Sequence, residues 1–200
     1  QVKNGFATLN DKVFIKEVDF EPLTIPILKA STGKWHRGFY PYDQSGKPLK
    51  KEEIFAYPEV AKYLTKNKER LLKDAPEEKK PDWYLYGRTQ ALKDVYANKY
   101  SINSIIKDVK TIKLIDVPVG SGLYSGLYIL TDVPRTIIED ALKSVDFINY
   151  LKMLKNYKSG GYYTYSSKDL EQYLNYKIAS NETARNFVPV NEPNLFEGYF

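Results

Sequence analysis

Apolar residues fall along this chain mostly in short alternating or clustered runs, interrupted by two longer stretches of helical period. Asn4-Gly5 reads as a turn or helix cap, and Val13-Phe14-Ile15 as a strand. Pro22 and Pro26 interrupt Leu23, Ile25, Ile27 and Leu28, which favours an extended or edge segment over a central strand. Across residues 49–73, Ile54, Tyr57, Val60, Ala61, Leu64, Leu71 and Leu72 recur at threes and fours, predicting helix. Pro58 divides that stretch into a short helix and a longer one, because proline inside a helix removes a hydrogen bond. Residues 98–110 are ambiguous between helix and strand. Residues 111–118 alternate as a strand, 119–126 form a glycine-rich loop, and 127–130 read as a buried strand. The longest helical pattern covers residues 135–156, with Ile137, Ile138, Ala141, Val145, Ile148, Leu151 and Leu154 on one face and a break near Ser144. After the Gly160-Gly161 turn, Tyr162, Tyr163 and Tyr165 suggest a short strand. Ser166 or Ser167 then caps a helix whose start carries Asp169 or Glu171. Residues 175–178 suggest a last strand, and the polar remainder holds Pro189 and Pro193. The pattern predicts an α+β fold, with short, mainly antiparallel twisted sheets and the 49–73 and 135–156 helices packed against them. Residues 1–180 form the expected domain and 181–200 a tail.

Composition narrows the classes. The 200 residues suffice for a hydrophobic core. A formal net charge of +5 permits a polyanionic partner only through a local basic face, since 25 carboxylates dilute 30 cationic side chains. The absence of cysteine excludes disulfides, thiolate zinc sites and thiol nucleophiles, and fits the cytoplasm. No apolar run approaches the ~18 residues of a membrane helix, and no signal peptide is visible. The first residue is Gln1 rather than Met, so the chain is expected to be a piece of something longer. With one histidine, no nucleophile–base or paired-histidine metal arrangement is available. The doublets Glu52-Glu53 and Glu77-Glu78 are adjacent in sequence and do not converge on one site.

Three stretches carry candidate chemistry. Residues 81–94 read P-D-W-Y-L-Y-G-R-T-Q-A-L-K-D. Alternation over Trp83, Leu85 and Gly87 predicts a strand, and residues 91–93 a helical turn, which gathers Arg88, Thr89 and Gln90 at a strand end. Arginine can pair bidentately with guanine and glutamine with adenine. The alternative is packing: Trp83 and Tyr86 in the core and Arg88 paired with a carboxylate such as Asp94. Residues 29–43 interleave Lys34 and Arg37 with Trp35, His36, Phe39, Tyr40 and Tyr42, the mixture that backbone contact with stacking requires. A hairpin with its aromatics in the core explains the same pattern. In the third stretch, Lys158, Tyr162, Tyr163 and Lys168 flank a glycine turn. The glycine-rich 119–126 segment lacks both the P-loop pattern and the dinucleotide-binding pattern.

Taken in order, T-L-N-D-K-V-F-I (8–15), F-Y-P-Y-D with G-K-P-L (39–49), Y-L-x-x-N-K-E-R-L (63–71), W-Y-L-Y-G-R-T-Q-A-L (83–92) and S-G-G-Y-Y-T-Y (159–165) resemble one family. It is the C-terminal target-recognition region of Taq-type adenine-specific DNA methyltransferases, found also in restriction enzymes fused to such a methylase. The resemblance spans roughly residues 4–178 and is most specific over residues 83–92. It implies a partner, double-stranded DNA, and an upstream catalytic domain that binds S-adenosylmethionine. That domain's Asn-Pro-Pro-Tyr motif is missing here, N-E-P-N at 191–194 being no substitute. The chain is therefore expected to read DNA without catalysing transfer and without a cofactor of its own. Lys34, Arg37, Lys158 and Lys168 are the candidates for phosphate contact. Trp35, His36, Arg88, Gln90, Tyr162 and Tyr163 are those for base reading or groove insertion. Trp83, Tyr86 and Gly87 are expected to be scaffold. The competing reading is an aromatic-rich module for carbohydrate or protein.

Overall fold

The computed structural model describes residues 1–15 and 19–180, so the expected 181–200 tail lies outside the described residues. In chain order the elements are β1 (Val2–Asn4), α1 (Asp11–Phe14), β2 (Thr24–Lys29), β3 (Lys34–Phe39), α2 (Lys51–Phe55), α3 (Pro58–Asp74), β4 (Lys99–Ile102), β5 (Ile105–Ile106), β6 (Leu114–Val117), β7 (Gly122–Tyr124), β8 (Leu127–Ile129), α4 (Arg135–Leu142), α5 (Val145–Leu154), β9 (Tyr157–Lys158), β10 (Tyr162–Thr164) and α6 (Ser167–Ala179). Turns of 3-10 helix lie at Glu77–Asp82, Leu92–Asp94 and Val109–Thr111. The fold is α+β. The strands form sheets of order β1-β8-β4-β6, β3-β2-β7 and β5-β10-β9. Among the described residues every pairing between these strands is antiparallel except β2 with β7.

The β1-β8-β4-β6 sheet separates two cores. Side chains alternate across a strand, and the register puts Val2 beside Ile129 and Ile102 beside Leu127 and Leu114. This face packs with Ile138, Leu142, Phe147, Leu151, Leu170 and Leu174 of α4, α5 and α6. The opposite face carries Tyr128, Ile115 and Val117 into the other core, where Ile54, Val60, Leu64 and Leu71 of α2 and α3 meet Phe6, Phe14, Phe39 and Tyr86. Both helical stretches read from the pattern thus pack on sheets, in different cores. Pro58 takes the first position of α3, where its missing N–H costs nothing. Ser144 caps α5, accepting from the Phe147 N–H, and this ends α4 where the pattern breaks. Ser166 caps α6 reciprocally with Asp169.

Several local readings are corrected. Asn4-Gly5 is not a turn: β1 ends at Asn4, and the Gly5 N–H continues to the Gly126 carbonyl. Residues 13–15 are not a strand, because Asn10 starts a helical turn and accepts from the N–H groups of Val13 and Phe14. Strand β2 is central rather than an edge. Its pairing with β7 begins at Ile27, so Pro26 precedes the stretch where a missing donor would leave a gap. The glycine-rich segment holds strand β7 rather than a loop. A Cβ on Gly122 would lie 2.7 Å from the Phe6 ring, and one on Gly126 would lie 2.4 Å from Ala30. These glycines serve close packing. Residues 175–178 continue α6 and form no strand. Trp83 to Gly87 is also not a strand: the 3-10 turn runs into Trp83, and consecutive Trp83 and Tyr84 are both buried, which a strand exposed on one face would not allow.

Candidate nucleic-acid interface

The 83–90 stretch divides into an inside and an outside. Trp83, Tyr84 and Tyr86 are buried, whereas Arg88, Thr89 and Gln90 are exposed. Tyr86 donates its hydroxyl to the Phe39 carbonyl, and its own N–H donates to the Tyr42 hydroxyl at 2.6 Å. Its ring lies 5.0 Å from Phe6, 5.4 Å from Phe14 and 5.3 Å from Tyr42. Desolvation pushes the phenols of Tyr40, Tyr42 and Tyr86 up, so all three stay neutral. Two residues on, the Arg88 backbone is clamped to Ala7 in both directions, N–H to carbonyl at 2.9 and 3.3 Å. The aromatic anchor and this clamp hold the chain, and Arg88 projects from it.

It projects into a cleft of about 480 Å³ beside the edge strand β1, lined by Lys3, Asn4, Arg88, Gln90, Tyr128 and Ser167 among others. The start of α6 forms part of the wall, with Lys168 exposed next to Ser167. Helix α6 is fixed against β1 by Glu171, whose carboxylate accepts from the Val2 N–H at 2.7 Å. The charges in the cleft differ in character. Lys3 is committed to Asp94 at 2.9 Å, and Asp94 also accepts from the Tyr128 hydroxyl at 2.7 Å. Burial pushes the Asp94 carboxyl up, but the bonds from Lys3 and Tyr128 outweigh it and hold it below its usual range. Arg88 forms no ion pair among the described residues, with Asp94 or any other carboxylate. Its guanidinium fork can donate to a ligand in the cleft, and the Gln90 amide can donate or accept.

The other expected contacts lie on two further surfaces. Trp35 on the edge strand β3 is 43 % exposed, Lys34 is exposed, and His36 is half-buried with its ring 6.4 Å from Tyr124. Phe39, Tyr40 and Tyr42, interleaved with them in sequence, are core. Arg37 is held by Asp19 at 2.9 Å and Glu21 at 2.5 Å, so its charge is locally balanced. Lys158 and Tyr162 face each other across β9 and β10 and are exposed. Tyr163 is half-buried against the second core, its ring 5.5 Å from Tyr157. Sequence reading missed Lys3 and Asn4, which nothing in their neighbours marks. It also missed Lys107, Lys110 and Lys113, for which the K-x-x-K-x-x-K spacing was a usable signal.

Behind the cleft, the Lys99 ammonium is buried and donates to the carbonyls of Asp94, Val95 and Ala97 at 2.8, 3.2 and 3.1 Å. Burial pulls it down to about 8, against the opposing pull of Asp94. An unfolded lysine titrates near 10.4, so between these values the unfolded chain holds more protons and stability rises with pH. The expected gain from Lys99 alone is about 1 kcal/mol between pH 7.5 and 9. The phenols that burial raises, among them Tyr40, Tyr42 and Tyr86, ionise at about 10 in the unfolded chain and oppose it above that range. Urea unfolding of the parent beside Lys99→Met checks it: the stability difference between them should shift in the parent's favour by that amount across the same range.

No protein-family model and no curated protein matches this chain. No helix among the described residues is long and apolar enough to cross a membrane. Among the described residues, no group of three or more His, Asp or Glu side chains is placed to hold a metal ion.

Proposed function

We propose that this chain is a target-recognition domain for double-stranded DNA, of the kind that serves adenine-N6 methyltransferases of restriction–modification systems. In this reading it works in the cytoplasm beside a catalytic domain that binds S-adenosylmethionine and extrudes the target base, since the acceptor nitrogen is unreachable within the duplex. One observation carries the proposal. The most specific stretch of the sequence buries its aromatics and presents Arg88 and Gln90, uncommitted, in one cleft. Those two side chains suit guanine and adenine edges respectively. Lys34, Lys158 and Lys168 supply exposed cations for phosphates, which position the domain without reading sequence.

The test is a titration of the chain with mixed-sequence duplex DNA at about 50 and about 200 mM salt. Affinity should fall steeply with salt. A second reading, a protein-binding module, draws on α5 and α6, where Val145, Met153 and Tyr176 are 73 %, 77 % and 73 % exposed. Absence of duplex binding at both salts, with salt-insensitive binding of a protein partner, would favour that reading instead.

A further inference from the structure

Residues 103–113 join two of the surfaces that the sequence left separate. Asn103 is buried and acts as their staple: its amide donates to the carbonyls of Ile105 and Thr111 at 2.9 and 3.0 Å, and its Oδ1 accepts from the Lys113 N–H at 2.7 Å. Asp108 caps the 3-10 turn within the loop, accepting from the N–H groups of Lys110 and Thr111. The loop is thus held in one shape, with Lys107, Lys110 and Lys113 all exposed on it. At one end the Lys113 ammonium donates to the Ser31 and Thr32 carbonyls at 3.3 and 3.1 Å, on the β2–β3 hairpin tip that leads into Lys34. At the other end Lys107 sits 5.9 Å over the Tyr162 ring, and Tyr162 pairs across the hairpin with Lys158.

We infer that this loop is a phosphate track, carrying one strand's backbone from Lys34, past Lys113, Lys110 and Lys107, to Lys158. The inference rests on the DNA reading proposed above and adds a surface to it. Among the described residues, none of these five lysines is ion-paired. Lysines elsewhere, such as Lys62, Lys66 and Lys73 of α3, are also unpaired among the described residues, so what distinguishes the row is its order along a braced loop. An unbalanced row of cations on a braced loop complements a regular row of phosphates. The one carboxylate on the loop, Asp108, is occupied by backbone N–H groups. Trp35 and Tyr162 stand exposed beside the row, suited to stacking or sugar contact.

The experiment compares the unmodified chain with Lys107→Gln/Lys110→Gln/Lys113→Gln in duplex titrations at several salt concentrations. The slope of log affinity against log salt should fall by about 2–3, with the same loss for every duplex sequence. The equal charge change on α3, Lys62→Gln/Lys66→Gln/Lys73→Gln, should leave the slope unchanged. Since Lys113 braces the hairpin tip, Lys107→Gln/Lys110→Gln separates charge from folding and should lower the slope by about 2. An unchanged slope in the loop variants, with the parent chain binding normally, overturns the track and leaves the DNA reading intact. An equal drop in the α3 variant also overturns it, because net charge alone would then suffice. Absence of binding by the unmodified chain overturns both.

Discussion

Tyr86→Ala is expected to destabilise the domain by about 3–5 kcal/mol, the usual cost of emptying a fully buried aromatic site. The side chain is 1 % exposed and touches Phe6, Phe14 and Tyr42. Its neighbours come from the segment after β1, α1, the segment after β3 and the 83–90 stretch itself, so no one of them can close the gap alone. The loss would take a large part of the ~5–15 kcal/mol that holds a typical domain together. Tyr86→Phe keeps the ring and removes only the hydroxyl, leaving the Phe39 carbonyl without that donor. It should cost about 1–3 kcal/mol. Urea unfolding measures both. The phenylalanine variant should bind duplex DNA as the parent does, because Tyr86 lies behind the cleft and does not line it. A phenylalanine variant that unfolds normally but loses binding would show that the Tyr86 hydroxyl contributes to DNA binding.

That contrast explains how much of the molecule was legible in the sequence. Helical stretches were, because their signals are local: Pro58 at a first position, Ser144 and Ser166 as caps, apolar residues at threes and fours. Short apolar triplets were not. Val13-Phe14-Ile15 has strand-like residues, but the T-L-N-D before it supplies a start signal, with the Thr8 hydroxyl on the Asp11 carboxylate at 2.6 Å. The central place of β2 was hidden by Pro26, since whether a missing N–H matters depends on where a distant strand begins to pair. The glycines at 122 and 126 read as part of a loop and are points of close approach, a distinction set by Phe6 and Ala30 far away in sequence. For the candidate site, residue type suggested a division between the aromatics and Arg88 with Gln90, but that Asp94 pairs with Lys3 and leaves Arg88 unpaired among the described residues is set by the folded arrangement. Arg37 could not be separated from Lys34 in this way, because Asp19 and Glu21 reach it only through the folded arrangement.

Arg88→Ala is expected to weaken binding of the preferred duplex by about 1–3 kcal/mol and to relax selectivity at one base position. The preferred sequence would first be selected from a random duplex pool with the unmodified chain. Folding should be untouched. Arg88 contributes to the structure through its backbone bonds to Ala7, which alanine keeps, and its side chain is exposed. Gln90→Ala should behave likewise at a different position, and the double variant should approach the affinity for unrelated sequences. Arg88→Lys is the informative partner. It restores the positive charge in the cleft without the planar fork, so it should recover general affinity and little selectivity. If lysine instead restores full binding and alanine weakens all sequences alike, Arg88 is a phosphate contact, and the base reading must be sought elsewhere on the surface. If neither substitution changes anything while the duplex still binds, the DNA does not enter this cleft. The guanidinium would then be left without a role, although among the described residues it has no carboxylate partner.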